Sequence, residues 1–244
     1  MKAMIFAAGT GTRLGGITGN IPKALVEING KSILRLAVEK IASYGFTEII
    51  VNVHHFADMV EKEIGVLAAE GFNITVSDER DLLLETGGGL YKAREFFGKE
   101  PFLMYNADIL TTLDLDILFE YHVRKGGIAT LAVADHGHSR VFITGENGIV
   151  CGWQNSFTGE KIISREIPGN TSLVSFSGIH IADPEIFSFM QEGIYSMTTL
   201  YLKIAGTRKI FTLRHDQDYW ADIGTPEELE KARLYFSRSS RKSL

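Results

Sequence analysis

The chain has 244 residues, of which 45% are hydrophobic and 23% are charged, and its formal net charge is −5. A chain of this length can bury a sizeable core in one large domain. Its negative charge argues against broad electrostatic binding to nucleic acid or to an anionic membrane. The single cysteine, Cys151, excludes an intramolecular disulfide and a thiolate metal cluster, which fits a reducing cytosol. We therefore expect a cytoplasmic protein in which any phosphate site is confined to a few residues.

Short apolar runs alternate with segments of helical periodicity through the first half of the chain. This alternation is typical of βαβ units and predicts an α/β fold with a mainly parallel sheet. The predicted strands cover residues 3–8, 48–53, 73–77 and 101–105. The predicted helices run from an N-cap at Ser32 to Gly45, over residues 56–70, and over residues 90–97.

The pattern loosens in the second half, after an apolar run at 128–134. Residues 136–140 are predicted as a loop, and Asn147-Gly148 as a tight turn between two short strands. We interpret 136–170 as a smaller lobe within a single domain that covers 1–244, and 237–244 as a flexible tail. Regular structure returns with strands at 172–181 and 209–213, two short helices after Pro184 and Met197, and a last helix at 226–236.

A glycine-rich segment follows the first predicted strand directly, and a Pro22-Lys23 pair comes soon after it. The segment reads Ala8, Gly9, Thr10, Gly11, Thr12, Arg13. Glycines at the carboxyl end of a strand let backbone N–H groups surround an anion, and Arg13 and Lys23 can neutralise a triphosphate. A simple tight turn is the alternative for the glycines alone. The dinucleotide fingerprint needs a third glycine where Leu14 stands, so hydride transfer loses its main support.

Two aspartates are placed to hold a cation. Asp108 follows the buried strand 101–105 and emerges at the same sheet edge as the glycine segment, while Asp222 precedes a turn and the last helix. Mg²⁺ commonly binds one or two carboxylates together with phosphate oxygens and waters. Each aspartate alone could equally be a capping or turn residue.

Together, the Gly-x-Gly-x-Arg segment, the Pro-Lys pair and the two aspartate segments resemble the sugar nucleotidyltransferase family over nearly the whole chain. The resemblance implies the GT-A-like, nucleotide-diphospho-sugar transferase fold, a three-layer α/β sandwich with a mainly parallel mixed sheet. It implies that residues 8–13 and Lys23 bind the nucleotide, that Arg13, Lys23 and Asp108 are catalytic, and that Asp108 and Asp222 ligate Mg²⁺. One departure is that 16–18 reads Gly-Ile-Thr instead of the family's Pro-Leu-Thr.

Two further segments resemble the base and acceptor sites of this family. Leu84 to Gly89 reads Leu-Glu-Thr-Gly-Gly-Gly and resembles the contact loop of N-acetylmuramate 1-phosphate uridylyltransferases and mannose-1-phosphate guanylyltransferases, which implies nucleotide contacts by Glu85, Thr86 and Gly87. A flexible helix start is the structural alternative. The sugar is expected at Gly178, Asn106 and Asn155. The family's Glu-Lys-Pro lysine is missing, because residues 152–155 read Gly-Trp-Gln-Asn.

The sequence thus predicts Mg²⁺-dependent nucleotidyl transfer from UTP to N-acetylmuramate 1-phosphate in cell-wall recycling, with small molecules as the partners and no nucleic acid or membrane. A mannose or other hexose 1-phosphate with GTP, CTP or dTTP stays open, as does a non-catalytic regulatory subunit that binds nucleotide sugars. A glycosyltransferase would use a motif such as Asp114-x-Asp116, which we interpret as helix capping. The histidine pairs 54–55 and 136/138 lack a third metal ligand and are expected to be structural. The chain could be a monomer or a small homo-oligomer.

Overall fold

The structure is a computed structural model that describes residues 1–9, 21–166 and 169–240. These residues form two compact units. The first contains Met1–Leu83, Tyr105–Thr112 and Tyr219–Leu244, and the second contains Leu84–Met104 and Leu113–Asp218. The chain therefore passes from one unit to the other several times.

The described part of the chain contains fourteen strands and six α-helices. The strands are β1 (Lys2–Phe6), β2 (Glu27–Ile28), β3 (Lys31–Ser32), β4 (Glu48–Val53), β5 (Asn73–Asp78), β6 (Phe102–Asn106), β7 (Ile109–Thr111), β8 (Ala129–Ala134), β9 (Arg140–Gly145), β10 (Val150–Asn155), β11 (Lys161–Ile163), β12 (Thr171–Ala182), β13 (Ile210–Arg214) and β14 (Trp220–Asp222). The helices are α1 (Ile33–Ser43), α2 (Ala57–Ala69), α3 (Glu85–Lys92), α4 (Leu115–Lys125), α5 (Met197–Ile204) and α6 (Pro226–Ser240). Short 3₁₀ turns occupy Lys23–Leu25, Arg94–Phe96 and Pro184–Phe189.

Parallel pairing organises the first unit. Strand β4 lies between β1 and β5 and is parallel to both, so the carboxyl ends of all three strands meet at one edge. Nearly every residue of β1 and β4 is buried, as their continuous apolar sequences predict. Helix α1 begins at the predicted cap, where Ser32 Oγ accepts a hydrogen bond from the Arg35 backbone N–H at 3.0 Å.

A smaller antiparallel sheet completes the first unit. Strand β14 pairs with β7, and the register sets Asp222 opposite Ile109. Its apolar side chains join a buried cluster with the first turn of α1 and with α6. The cluster consists of Val26, Ile28, Ile33, Leu110, Ala221, Ile223, Leu229 and Ala232. Segments from three distant parts of the sequence are therefore held on one core.

The second unit is built on a mixed sheet. Strand β8 pairs in parallel with β13 and antiparallel with β12, and β12, β9, β10 and β11 continue as antiparallel neighbours. The β12–β8 register shifts between Phe176 and His180, which marks a β-bulge. Asn147-Gly148 forms the predicted turn between β9 and β10, with φ of +68° at Gly148.

The predicted α/β class is confirmed, and most element positions agree with the sequence-based prediction. Helix α3 is the clearest difference, because it begins at Glu85 and includes the three glycines that were expected to precede it. Asp114 caps α4 by accepting backbone hydrogen bonds from Asp116 and Ile117, as the capping interpretation predicts. Within the described residues, no helix has both the length and the apolar character needed to cross a bilayer.

Candidate active site

An ammonium group lies between two carboxylates in the first unit. Lys23 Nζ donates a short hydrogen bond to Asp108 Oδ2 and lies 3.2 Å from Asp222 Oδ1. These contacts join residues that are 85 and 199 positions apart in the sequence. The structure therefore brings together two predicted metal ligands and one predicted phosphate ligand.

Local backbone structure places each of the three side chains. Lys23 opens a 3₁₀ turn after Pro22, whose φ of −66° suits the position before such a turn. Asp108 lies in the connection between β6 and β7, where the Tyr105 hydroxyl donates to the Ile109 carbonyl at 2.9 Å. Asp222 is the last residue of β14.

Hydrogen bonds between main chains fix the two aspartates beside each other. The Ile223 N–H donates to the Asp108 carbonyl at 2.9 Å, directly after Asp222 in the sequence. The Ala107 N–H donates to the Phe6 carbonyl at 3.0 Å, which ties the Asp108 segment to the end of β1. Because these bonds involve the main chain, the positions of the carboxylates do not depend on Lys23 alone.

Partial burial strengthens the electrostatic interactions among these three side chains, because less water screens them. Lys23 is 9% exposed, and the side chains of Asp108 and Asp222 are 28% and 29% exposed. Burial raises the pKa of Asp108 above its usual value, the ammonium of Lys23 opposes that shift, and the neighbouring Asp222 adds to it. Two carboxylates in such a setting favour the approach of a cation.

The donor set at this position fits Mg²⁺. Both carboxylates offer hard oxygen ligands, and the Lys23 ammonium shows that they can share one positive charge. The described residues contain no group of three or more His, Cys, Asp or Glu side chains arranged to hold a metal. Any Mg²⁺ on Asp108 and Asp222 would therefore complete its coordination with oxygens of a bound ligand and with water, as Mg²⁺ commonly does in proteins.

A second polar network lies at the carboxyl ends of the parallel strands and was not predicted. Asn52 Oδ1 accepts from the Ala7 N–H at 2.8 Å, and Asn52 Nδ2 donates to Glu79 Oε1 at 2.8 Å. Asn52 and Glu79 are 2% and 1% exposed. The network anchors the backbone just before Ala8 and Gly9. Polar residues at the ends of otherwise apolar strands were the available signal.

The part of the chain that carries Lys23 and Asp108 matches a known protein family. The family model described as "Nucleotidyl transferase" matches residues 2–144, which include Lys23 and Asp108. This chain belongs to the nucleotidyl transferase family.

Two curated relatives and one solved structure illustrate the likeness. UTP–glucose-1-phosphate uridylyltransferase of Synechocystis sp. is 33% identical over 98% of this chain, which spans 64% of that relative's length. N-acetylmuramate alpha-1-phosphate uridylyltransferase of Neisseria meningitidis serogroup B is 28% identical over 96% of this chain and 97% of its own. The crystal structure of HddC from Yersinia pseudotuberculosis complexed with GMP-PN has a TM-score of 0.78 and 22% identity, over 96% of this chain and 99% of that one. The predicted GT-A-like fold and the resemblance to sugar nucleotidyltransferases are thus confirmed.

Several residues of the predicted nucleotide site in this nucleotidyl transferase lie outside the described residues. These are Thr10, Gly11, Thr12 and Arg13, together with the departure at 16–18. Ala8 and Gly9 are described and follow β1, where Ala8 is buried and Gly9 is exposed. Asn106, a predicted sugar contact, ends β6 two residues before Asp108.

The predicted base contacts Glu85, Thr86 and Gly87 lie in the second unit of the nucleotidyl transferase. Glu85 has a φ of +57°, a left-handed conformation that costs free energy in a non-glycine residue. Thr86 Oγ1 accepts from the Met197 N–H at 2.9 Å, and the Gly87 N–H donates to the Tyr195 carbonyl at 2.8 Å. The segment therefore also connects α3 to the start of α5.

The predicted sugar contacts Gly178 and Asn155 also belong to the second unit. Gly178 lies in the β12 bulge with a φ of +76°, a conformation that favours glycine. Asn155 ends β10, and its Oδ1 accepts from the Phe157 N–H at 3.0 Å, so the side chain shapes the turn toward β11. The roles of these two residues stay predictions.

Proposed function

We propose that this protein transfers a nucleotidyl group from a nucleoside triphosphate to a sugar 1-phosphate, in a Mg²⁺-dependent reaction that releases pyrophosphate. The observation that carries the proposal is the Lys23 ammonium between the Asp108 and Asp222 carboxylates in a chain of the nucleotidyl transferase family. A reaction between two polyanions requires positive charge at the phosphates, which a bound cation and a lysine ammonium beside it can supply.

The proposed reaction needs no general base. The nucleophile is a phosphate oxygen of the sugar 1-phosphate, and a second phosphate pKa of about 6 leaves it mostly dianionic at neutral pH. Its attack on the α-phosphorus forms a P–O bond as the bond to the departing pyrophosphate breaks. The protein must align the two substrates and neutralise their charge, and it needs no covalent intermediate.

In this proposal Lys23 neutralises phosphate charge, and Asp108 and Asp222 hold the metal. Bound Mg²⁺ supplies Lewis-acid stabilisation of the phosphate oxygens. If Asp108 and Asp222 held that ion, they would pair less with the ammonium of Lys23, which could then contact a phosphate. Ala8 and Gly9, anchored through Ala7 and Asn52, would present backbone N–H groups to the triphosphate. The further nucleotide contacts of Arg13 and of residues 10–12 belong to the proposal as well.

UTP is the proposed nucleotide, because both curated relatives are named as uridylyltransferases. N-acetylmuramate 1-phosphate is the proposed acceptor, supported by the Neisseria relative, which matches this chain over nearly its whole length, and consistent with the motif at residues 84–89. Glucose 1-phosphate is the second candidate, because the relative named for it has the higher identity, 33% against 28%. We propose a cytoplasmic role in cell-wall recycling for the first acceptor.

A pyrophosphate-release matrix tests the proposal. UTP, GTP, CTP and dTTP would each be combined with N-acetylmuramate, glucose and mannose 1-phosphates, with Mg²⁺ or with excess chelator. We expect release only when Mg²⁺, UTP and one acceptor are all present. Release with GTP and an acceptor, but not with the other triphosphates, would instead indicate a guanylyltransferase. Stabilisation by a nucleotide sugar with no turnover in any combination would instead favour a regulatory binding subunit.

A further inference from the structure

One peptide group at the end of β1 is held by hydrogen bonds from both sides. The Ala7 N–H donates to Asn52 Oδ1 at 2.8 Å, and the Phe6 carbonyl accepts from the Ala107 N–H at 3.0 Å. A trans peptide is planar, so its N–H and C=O groups point to opposite sides of the chain. Rotation of the Phe6–Ala7 peptide would therefore break both bonds at once.

The side chain of Asn52 supplies an acceptor at the point where β1 leaves the sheet. The parallel pairing of β1 with β4 ends at Phe6, which lies opposite Asn52. The N–H of the next residue, Ala7, bonds to the Asn52 side chain, and Ala7 is only 9% exposed. A buried N–H without an acceptor costs about 1–3 kcal/mol. An apolar side chain at position 52, like those of Val51 and Val53, could not accept this bond.

Glu79 determines which way the amide of Asn52 faces. Asn52 Nδ2 donates to Glu79 Oε1 at 2.8 Å, and the two residues are 2% and 1% exposed. An amide nitrogen donates and an amide oxygen accepts, so an amide whose nitrogen faces Glu79 presents its oxygen to Ala7. The main chain of Glu79 is also held, because its N–H donates to the Val53 carbonyl at 2.8 Å.

The Phe6–Ala7 peptide connects two parts of the proposed site, both within the first unit. On one side, Ala7 leads directly into the glycine-rich segment. On the other side, Ala107 directly precedes Asp108, whose carboxylate accepts a hydrogen bond from Lys23. The orientation of this one peptide therefore affects both the entry of the backbone into the glycine-rich segment and the position of a predicted metal ligand.

We propose that Asn52 is a positioning residue for the triphosphate, and that Glu79 holds its amide in the required orientation. Through the Phe6–Ala7 peptide, Asn52 aligns backbone N–H groups of the glycine-rich segment with the Asp108 carboxylate, so that both act on one triphosphate. This inference rests on the proposed function and deepens it, because it assigns the alignment of the substrate to two buried side chains.

The first test observes the backbone of the unsubstituted protein. ¹⁵N-labelled protein would be titrated with Mg²⁺ and whichever of UTP, GTP, CTP and dTTP binds most tightly. We expect the amide signals of Ala8 and Gly9 to shift. Hydrogen exchange at Ala7 should be slow with and without the triphosphate, because its bond to Asn52 is already made. Unshifted signals at Ala8 and Gly9, or fast exchange at Ala7, would overturn the proposal.

The second test removes the acceptor. Leucine has a volume similar to that of asparagine, but Asn52→Leu cannot accept from Ala7. We expect affinity for the triphosphate to fall by about tenfold or more, the equivalent of one hydrogen bond, while affinity for the corresponding nucleoside monophosphate changes little. A residue that only stabilises the fold would lower the thermal midpoint and leave the ratio of the two affinities unchanged. An unchanged ratio in folded Asn52→Leu would refute the proposal.

The response to metal tests the alignment itself. Triphosphate affinity would be measured with Mg²⁺ and with excess chelator, in the wild type and in Asn52→Leu. If the segment and the carboxylates act on one triphosphate, Mg²⁺ should strengthen binding by a smaller factor in the variant than in the wild type. Equal factors in the two proteins would contradict a role in alignment.

A reversed pair separates the acceptor at position 52 from the rest of its side chain. Asn52→Asp combined with Glu79→Gln keeps the net charge and the side-chain shapes. The new carboxylate can accept from Ala7 and from the new amide, so this double variant should retain most of the preference for triphosphate over monophosphate. A loss as large as that in Asn52→Leu would show that the acceptor at position 52 does not position the site. This comparison decides the question even if Asn52→Leu does not fold.

Ser32→Ala is the matched control for lost stability. Ser32 is also buried, at 8% exposure, and caps α1 in the same unit, so its loss should lower the thermal midpoint without changing the affinity ratio. If a triphosphate binds but no sugar 1-phosphate yields pyrophosphate, only the proposed function has failed. If pyrophosphate is released and the ratio is unchanged in Asn52→Leu, only the present inference has failed. Binding of no triphosphate at all would refute both.

Discussion

The two units handle polar groups in different ways. In the first, Lys23, Asp108 and Asp222 bring three charges together at a partly exposed position. In the second, the Asp218–His215–Ser177–His136 series leads to a neutral imidazole. The clusters therefore differ in charge: the first carries one ammonium and two carboxylates, whereas burial lowers the pKa of both histidines in the second.

Substitutions should also have different consequences in the two units. The charged cluster of the first unit has an apolar core and main-chain hydrogen bonds to hold its backbone, so its side chains can be changed with little loss of fold. In the second unit, α3 packs directly on the segment near Gly193 and Tyr195. Substitutions in α3 should therefore lower the stability of the fold more than they change the reaction rate.

Loss of a metal carboxylate should have the largest effect. Asp108→Asn keeps the shape of the side chain and removes its charge, so kcat should fall by about 10²–10³-fold or more. Pyrophosphate release under saturating substrates is the measurement. Asp114→Asn is the matched control, since asparagine also caps helices well and α4 should keep its N-cap. Activity of Asp108→Asn near the wild-type level would remove Asp108 from the mechanism.

Loss of the ammonium should have the next largest effect. Lys23→Met should lower kcat/KM by about 10²-fold, because a phosphate charge loses its partner while two carboxylates remain close together. In the absence of substrates, Mg²⁺ should raise the thermal midpoint of this variant more than that of the wild type, since a cation then replaces the ammonium. Lys31→Met, at an exposed ion pair, is the control. Equal Mg²⁺ shifts in both proteins would contradict a shared cation site.

A methyl group at Gly88 should destabilise the second unit. An added Cβ would lie 2.1 Å from the Gly193 carbonyl oxygen, so the backbone must move, and Gly88→Ala should cost about 1–3 kcal/mol or more of unfolding free energy. Urea unfolding measures this loss of unfolding free energy. Gly65→Ala within α2 meets no atom within 4 Å and should instead stabilise by about 0.5–1 kcal/mol. The same sign for both variants would contradict the packing argument.

Acid should weaken the second unit through its buried histidines. Burial lowers the pKa of His180 to about 3 and of His122 to about 4. In mild acid these two histidines therefore bind protons in the unfolded chain but stay neutral in the folded chain. Stability should therefore fall as pH drops below about 6.5, by about 1 kcal/mol for each histidine between pH 7 and 5.5. Urea unfolding at both pH values measures this fall.

His122→Asn provides the sharper comparison, because the amide can keep a hydrogen bond to Thr130 and does not titrate. Its unfolding free energy should depend on pH less steeply than that of the wild type. His55→Asn, at an exposed position, is the matched substitution. A slope in His122→Asn equal to that of the wild type would show that His122 already binds its proton in the folded state.

Local patterns in the sequence determined the fold class and many element positions. The apolar runs of β1 and β4 identify buried strands because each is continuous and short, and Ser32 and Asp114 identify helix starts because capping is a local interaction. Asp108 could be chosen because it follows a buried apolar strand, and Lys23 because it follows a glycine-rich segment. The choice of Asp222 as the second metal ligand came from the resemblance to the sugar nucleotidyltransferase family.

Only the tertiary structure decided where distant side chains meet. Gly87 and Gly88 of α3 are needed because Tyr195 and Gly193, about a hundred residues away, leave no space for a Cβ atom, which no local propensity encodes. The contacts of Ser177 with His136 and His215 lie at a bulge in β12, where four residues of β12 span two residues of β8, and no local pattern in the sequence predicts that bulge. The sequence alone determined which elements form, because periodicity and capping act over a few residues. Contacts between distant residues required the register and packing of the folded chain.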